Sequence, residues 1–581
     1  MRLRLLLPFL LIATLVVTAC GSDDGPPKQT LEPGASPSAN ATPVATATRR
    51  PAPTETPRQG GILILANRGD PPSGFDSMRT SSIALHHVGG ALFGPANLVA
   101  RCRENMYLIC PGLAKSWIAN PGFTEWTFSI RPGVAWHDGA PFTAADVKFW
   151  FDLALFGIQG QKGVRVPAYF KGELGDIRKV DLLSGERVKL TFGERYAPFV
   201  DALANPRLKI AHPRHLMEPR IADGTPDVSP LTIDLVGAGP FKIESYKSGS
   251  IVAVRKFERY WERDSGGRTL PHLDGVDYLI MPEPAVMDAA FRTGRLHGGA
   301  RGDGHYLTSP RKEQYLKDIG DKTSFAEMEG GMYRLAFNVL KPGPWQDTRV
   351  RRAMALWIDK EASIPAVLGG YGWTAPSFGP ENPYKKKNFL NWPRFDPGSL
   401  AERQIEARRL MTESGFAGGF AIGHICRALS TVRCEFLKDQ LKGLGVDLQL
   451  TIVDEGTWNR ERITARHESQ EGAATPSPVP EGTESVYGRF SENPDAYAKH
   501  EDRAMDRLYQ QLREALSLEQ RVRVWRELER YLYVEKTYIV PIAVAIQVVP
   551  YRTTVKGLAI PTEDGHTHTD FATVWLDKSL T

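Results

Sequence analysis

The stretch LAKSWIANPGFTEWTFSIRPGVAWHDGAPFTAADVKFWFD, Leu113–Asp152, decides the fold class. Trp126, Phe128 and Ile130 alternate with Thr127 and Ser129, the period-two pattern of a strand with one buried face. Arg131-Pro132-Gly133 is turn chemistry. Val134-Ala135-Trp136 resumes an extended run, which Asp138-Gly139 stops. Thr143-Ala144-Ala145-Asp146 matches a capping box with Asp in place of Glu, and Val147, Trp150 and Phe151 follow at helical spacing. These patterns predict a hairpin that feeds a helix.

The wording of this stretch resembles a family pattern, L-A-x-S-W…F-x-L-R-x-G-V-x-F-H-D-G-x-P-F-T-A-x-D-V. It is that of the family 5 solute-binding proteins of ABC transporters, the oligopeptide- and dipeptide-binding type. Other stretches carry the same resemblance. Gly237-Ala238-Gly239-Pro240-Phe241 is similar to the family's G-T-G-P-Y. The run Val254 to Trp261 is similar to R-N-P-x-Y-W, and Pro271 to Val276 to P-Y-L-D-G-V. Phe75-Asp76 stands at the Leu-Asp pair of an early P-x-x-L-D-P loop. Phe337-Asn338, then Asp347 to Met354 and Asp359, resembles F-N…D-x-R-V-R-Q-A-L…A-I-D. Where the family reads L-x-S-G-E-I-D, this chain ends on His297 in place of the Asp. The resemblance covers nearly all of Gly60 to Leu576.

The chain has 581 residues, too many for one hydrophobic core, so two or three domains are expected. Its formal net charge of +5 is small for that size, and acids and bases interleave. That argues against nucleic acid as the main partner. Residues 1–19 read as a targeting segment: Arg2 and Arg4, then an apolar run from Leu5 to Val17, then Val17-Thr18-Ala19 before Cys20. The pattern looks like a bacterial lipoprotein signal with Cys20 as the lipidated residue. From Gly21 to Arg58 the chain is Pro-, Thr-, Ala- and Ser-rich and cannot offset its ordering entropy, so residues 20–58 are expected to be a disordered tether. At the polyproline rise of ~3.1 Å per residue it would reach roughly 120 Å. No later run is apolar enough to span a bilayer, so the expected protein is anchored at the outer face of the cytoplasmic membrane, in the periplasmic space, and does not cross it.

Four cysteines remain, Cys102 and Cys110, and Cys426 and Cys434, each pair eight positions apart. An exported chain meets oxidising conditions, so two local disulfides are expected. A four-thiolate zinc site is the alternative, and no CxxC spacing supports it.

Further helices announce themselves by their caps. Asp347 is an N-cap for a helix whose apolar face is Val350, Ala353, Met354, Trp357 and Ile358. Ser399 with Glu402, and Ser517 with Gln520, are capping boxes, and Gly415 fits a C′ position. Ile62–Leu65 and Ile542–Val549 are buried-strand runs. Glu471 to Val486, polar and Pro-rich, reads as a loop.

Motifs for chemistry are sparse. Gly237-Ala238-Gly239 lacks the third glycine of a nucleotide loop and reads as a tight turn between lobes. His566-Thr567-His568-Thr569-Asp570 has HxH spacing but reads as a polar tail, and His86-His87 as a packed or exposed pair. No GxSxG, HExxH or P-loop occurs, so a surface hydrolase has no motif behind it. A cleft that buries a solute needs flat apolar surfaces and a few polar groups. The candidate contacts are Phe75, Met332, Tyr333, Trp345, Trp373, Trp458, Tyr487, Arg489, Glu492 and Asp495, with core packing as the competing reading for each. Peptide-binding members usually carry W-x-x-D-Y…D-P where this chain has Tyr487 to Tyr497, so an amine-pairing carboxylate is not assigned.

The resemblance implies an α/β, two-lobed, periplasmic-binding-protein-like fold of type II, of the large cluster with an extra inserted subdomain. Lobe I is expected at 59–93, 198–330 and 542–581, the insertion at 94–197 and lobe II at 331–541, with the ligand cleft between lobes I and II. It implies a non-enzymatic, monomeric substrate-binding component that needs no cofactor or metal. Its partners are ABC permease subunits with separate ATPase subunits, and its ligand is a peptide or similar solute. An oligosaccharide, nickel chelate or opine as ligand, and a sensory role, are the alternatives.

Overall fold

Two short patterns, alternation in strands and apolar stripes in helices, recur along the chain and are arranged around one long sheet. The structure is a computed structural model. It describes residues 56–67, 69–78, 83–94, 97–103, 108–159, 165–166, 174–205, 208–224, 229–299, 309–374, 396, 398–474, 491, 496–558, 570–577 and 579. The chain divides into two units, Met1–Thr56 and Pro57–Thr581, and the second carries the fold.

That unit begins with β1 (Ile62–Asn67) and α1 (Ile83–Phe93). A four-stranded antiparallel sheet follows, made of β2 (Ala114–Ala119), β3 (Glu125–Ile130), β4 (Ile177–Leu183) and β5 (Arg187–Phe192) in the order β2-β3-β5-β4. The helix α2 (Ala144–Phe156) packs on it. The alternation in β3 is as read: Trp126, Phe128 and Ile130 are buried, and the residues between them are half-buried. They share one core with Val188 and Leu190 of β5, Val147, Trp150 and Phe151 of α2, and Phe199, Ala202 and Leu203 of the short helix α3 (Phe199–Leu203). Thr143 and Asp146 form the capping box, with the Thr143 backbone N–H donating to Asp146 Oδ2 at 2.9 Å.

The hairpin expected from Val134–Trp136 does not form. β3 pairs with β2 upstream and with β5 far downstream. Ala135 makes only an isolated bridge to Pro141. A run of three residues offers too few ladder bonds to compete with two six-residue neighbours, and Trp136 is instead fully buried in the core.

Among the described residues the long sheet has eleven strands. Those on one side are β1, β6 (Phe241–Lys247), β7 (Ile251–Lys256), β8 (Gly275–Ile280) and β9 (Gly298–Gly299), with the helix α4 (Pro284–Arg292) beside them. Two long strands, β10 (Thr323–Phe337) and β15 (Ile539–Arg552), run from that side to the other. The far side holds β12 (Phe420–Arg427), β13 (Val446–Val453) and β14 (Ser469–Ala474), and β11 (Gly372–Trp373) pairs on β15. The sheet order is β6-β7-β8-β1-β9-β15-β10-β14-β12-β13.

Both faces of the far half are covered, so the period of two along β10 sorts side chains into two cores. Tyr333, Leu335 and Phe337 pack with α5 (Thr348–Trp357), α6 (Leu400–Glu413) and α7 (Thr431–Lys442). Met332 and Ala336 pack with α9 (Arg503–Glu514) and α10 (Leu518–Arg530), which follow α8 (Glu455–Ile463) in the chain. The caps read from sequence are formed: the Asp347 side chain accepts from Arg349 N, and Ser399–Glu402 and Ser517–Gln520 are capping boxes. Gly415 closes α6 in a left-handed conformation, φ +85°, that costs glycine nothing.

Two disulfides are formed, Cys102–Cys110 and Cys426–Cys434. Among the described residues no helix is long and apolar enough to cross a membrane.

Candidate interlobe site

Strand register locates the site. β1 runs parallel to β8 and β9, and β10 lies antiparallel to β15, which is antiparallel to β9. The carboxyl ends of β1, β8 and β9 therefore point along β10 toward its middle. On the far side β12 is parallel to β13 and β14, and β14 is antiparallel to β10, with Ala474 opposite Met332. The carboxyl ends of these strands point back toward the same place. Two sets of parallel strands thus end facing one another on either side of residues 327–331 of β10, where Glu327–Glu329 lie opposite Ile546–Val548 of β15. Ligands of open α/β sheets bind outside carboxyl ends. The register of β10 on β15 slips between Glu329 and Met332, where Gly330 and Gly331 stand, and again between Tyr333 and Arg334. Irregular pairing with glycine is where a strand can bend.

One row across the sheet, Trp373, Val544, Met332 and Ala474, marks this crossing. A second row holds Arg334 opposite Gly472. An arginine–aromatic cluster is built on it. Arg334 is fully buried, its guanidinium carbon 3.6 Å from the Tyr497 ring centroid. A Cβ on Gly472 would stand 2.9 Å from Arg334 Nε and 3.0 Å from Tyr497 Cδ1, so the stack needs glycine there. Asp454 caps α8 by accepting from Thr457 N, and the helix presents Trp458 and Arg462, four residues apart, on one face. Arg462 lies 5.2 Å from the Trp458 centroid and 5.2 Å from that of Tyr497. Arg427, at the carboxyl end of β12, lies 4.6 Å from the Trp458 centroid. Arginine over an aromatic face is held in orientation as well as attracted.

Arg427 Nε also donates to Glu471 Oε1 at 2.7 Å. Glu471 is fully buried. Burial alone would raise its pKa, but the Arg427 charge and hydrogen bonds overcome it, and the carboxyl lies below its usual range. Below them His424 Nδ1 meets Ser469 Oγ at 2.9 Å, and Ser469 Oγ donates to Gly423 O. Burial pushes His424 down to about 4, so its imidazole is neutral. The Cys426–Cys434 disulfide closes the segment between Arg427 and Arg433, and Tyr333 Oη donates to Arg433 O at 2.6 Å. The Trp458 indole N–H is buried and has no hydrogen-bond partner among the described residues.

On the other side, the loop after β1 holds Ser73, Gly74 and Phe75 at φ of 55°, 63° and 65°. Two non-glycine residues in the left-handed region are strain that only a constraining environment maintains. Gly74 packs directly on Ser229, and Phe75 meets Tyr246 edge-on at 5.1 Å.

The candidates read from sequence are distributed unevenly. Phe75, Met332, Tyr333, Trp345 and Trp458 are buried. Phe75 belongs to the core under β1, Met332 and Tyr333 to the two cores flanking β10, and Trp345 donates its indole N–H to Asn338 O within the α5 core. Trp458 lies inside the arginine–aromatic cluster, and Trp373, half-buried, stands in the crossing row. Tyr487, Arg489, Glu492, Asp495, Cys20 and His566 to Thr569 lie outside the described residues. Arg334, Arg427, Arg462, Glu471 and Tyr497 join the site only through pairing across β10, β14 and β12. The one local signal is a charged residue inside a strand pattern, Arg334 in YRLAF; Glu471, read as the start of a loop, lies instead within β14.

Gly237–Gly239 is not a turn between the two halves of the long sheet. It packs against the end of α1, where Gly239 N donates to Leu92 O at 3.0 Å and a Cβ on Gly237 would strike the same oxygen. His137 seals it, with Nδ1 accepting from Gly237 N and Nε2 donating to Gly239 O, each at 3.1 Å. Burial lowers His137 to about 4. His87 is buried in α1, and Asp570 pairs with Arg103 at 2.5 Å.

Comparison with known proteins places this geometry. Residues 109–481 match the signature of bacterial extracellular solute-binding proteins, family 5, middle region. The dipeptide-binding protein of Escherichia coli K12 is 26% identical over 386 residues, 63% of this chain. The chain spans 65% of that relative's length. DppA from Helicobacter pylori, an ABC transporter-associated periplasmic binding protein in complex with peptide STSA, superposes with a TM-score of 0.75. It is 19% identical, and the match covers 90% of this chain and 99% of that one. The periplasmic binding protein AgaA of A. tumefaciens R10, in complex with agropinic acid, gives a TM-score of 0.72 at 22% identity. That match covers 89% of this chain and 99% of that one. The fold is the two-lobed α/β fold of periplasmic binding proteins. With a signature match over more than half its length, the chain belongs to the bacterial extracellular solute-binding proteins, family 5.

Proposed function

We propose that this chain is the substrate-binding component of an ABC import system, holding a peptide or similar small solute where the two sets of strand ends meet. Family membership carries the reading. The fit of the geometry is the further support: a crossing of two long strands, a glycine bend, and a buried arginine–aromatic cluster with an orphan indole N–H at the carboxyl ends. The lobes are 59–93 with 198–330 and 542–581, and 331–541, and the insertion is 94–197. Hinge closure at Gly330-Gly331 would enclose the solute and present both lobes to permease subunits, with ATP hydrolysed by separate subunits. The chain makes and breaks no bond. It works as a monomer, tethered by residues 20–58 to a lipid on Cys20.

Trp373, Trp458 and Arg427 are the contacts favoured on this reading, with Arg427 suited to a carboxylate at one end of the solute. A non-peptide acid is the second reading, since the AgaA neighbour was solved with agropinic acid. Titration of the Gly60–Thr581 protein with di- and tripeptides, and separately with opine-type acids, distinguishes them. Heat released on peptide addition supports the first, and heat only with the acids supports the second. No response to either sinks both. Loss of membrane attachment in Cys20→Ala tests the anchor, and an unchanged membrane fraction refutes it.

A further inference from the structure

Away from the crossing strands, the end of the inserted subdomain and the adjoining helix α3 touch lobe II. Tyr196 of the insertion and α3, at the start of the following lobe I segment, share one core, while Tyr509 of α9 belongs to the core around α9 and α10. Between them Ala197 N donates to Arg513 O at 3.2 Å. The Arg513 guanidinium carbon lies 5.1 Å from the Tyr196 centroid and 4.6 Å from that of Tyr509, bridging the two bodies. One turn of α3 away, Asp201 accepts from Arg101 Nη1 at 3.0 Å, and its other oxygen lies 3.6 Å from Arg521 Nη1 on α10. Arg101 also donates to Asp201 O at 3.2 Å, so the insertion itself holds that carboxylate in place.

The character of this contact matters. Among the described residues, no apolar core is shared between the insertion and the α9–α10 layer. Among the described residues the contact includes a backbone hydrogen bond, a bridging arginine and a partly exposed ion pair. Small polar contacts of this kind form and break readily, unlike an apolar core cut in two. A hinge at the crossing would open this contact without disturbing either core.

We propose that Arg513 with Ala197 and Tyr196, and Arg521 with Asp201, form a latch between lobe II and the end of the inserted subdomain with its adjoining helix α3, and that it holds the closed arrangement. It rests on the reading of a closing solute cleft, and it makes the insertion a participant in closure, with Asp201 preset by Arg101. None of these residues is assigned to the solute.

The test needs no solute. Small-angle scattering of the full chain, stripped of ligand by unfolding and refolding, is compared for the parent, for Arg521→Gln, and for an Ala197→Cys/Arg513→Cys pair oxidised to a disulfide. The latch predicts that the pair oxidises and that its radius of gyration is no larger than the parent's. It also predicts that Arg521→Gln shifts to a larger radius than the oxidised pair at an unchanged melting temperature. Equal radii for all three would show a permanent contact and overturn the latch. Failure of the pair to oxidise would also overturn it. Loss of solute binding is read separately by titration, so failure of the latch and of the binding role are distinguishable.

Discussion

Glu471 and Arg427 set the terms at the residue scale. A buried carboxylate keeps its charge only with a partner, and removing one member of such a pair commonly costs about 3–5 kcal/mol. Glu471→Gln is expected to destabilise the half of the long sheet that holds β12 and β14 by about that amount in urea unfolding, whereas Glu406→Gln on exposed α6 is expected to change little. Equal effects would mean that the pair is not what holds the end of β12. Gly472→Ala drives a Cβ into the Arg334–Tyr497 stack, an overpacking cost of about 1–3 kcal/mol, and is expected to weaken solute binding as well. Histidines add a pH dependence. Burial holds His137 and His424 near 4 and His467 near 3, all below the ordinary 6.5. His297 is lowered too, by burial and then Arg552, and its Nδ1 accepts from Ile64 N at 2.9 Å. Each lowered base binds its proton more readily unfolded than folded. Their stabilisation is therefore complete above about pH 6.5 and is lost as pH falls toward 4. Melting temperature is expected to drop across that window, with a shallower slope in His424→Asn. A slope that this substitution leaves unchanged would exclude His424.

At the scale of elements, local chemistry was legible and pairing was not. Thr143–Asp146, Asp347, Ser399–Glu402, Ser517–Gln520 and Gly415 act within a few residues of themselves, so sequence sufficed for them. β3 was recognisable as a strand, yet its partner β5 lies far downstream, and Val134–Trp136 looked like the nearer one. The aromatic candidates behaved alike. Tyr333 and Met332 are neighbours in sequence but serve opposite faces of β10, and only the layers on each side decide that both are core. Arg334, Arg427 and Arg462 are not legible as site residues, because nothing local tells a stacked, buried guanidinium from a solvated one. The two disulfides close loops of the same length, so each is expected to contribute about 2–3 kcal/mol. Replacing Cys426 and Cys434 by serine is expected to weaken solute binding as well, because Arg427 follows the first cysteine. The Cys102/Cys110 double variant should lose stability alone. If binding falls equally in both, the Arg427 segment has no special part in the site.

For the whole molecule, the long sheet explains how one chain makes two lobes and a place between them. Strands running in from both ends stop on either side of residues 327–331 of β10, and the pairing of the two strands that cross is irregular beside a pair of glycines. Sequence resemblance anticipated a two-lobed fold, and the superposition on periplasmic binding proteins agrees. Solute identity was beyond it, because the stretch from Tyr487 to Tyr497 departs from the pattern of peptide-binding members. Whether the strand ends bind a solute is read by native mass spectrometry of the Gly60–Thr581 protein, purified without denaturant and then exposed to a peptide digest. One retained small molecule per chain, released on unfolding, is expected. A mass equal to the polypeptide alone, both before and after the digest, would contradict it.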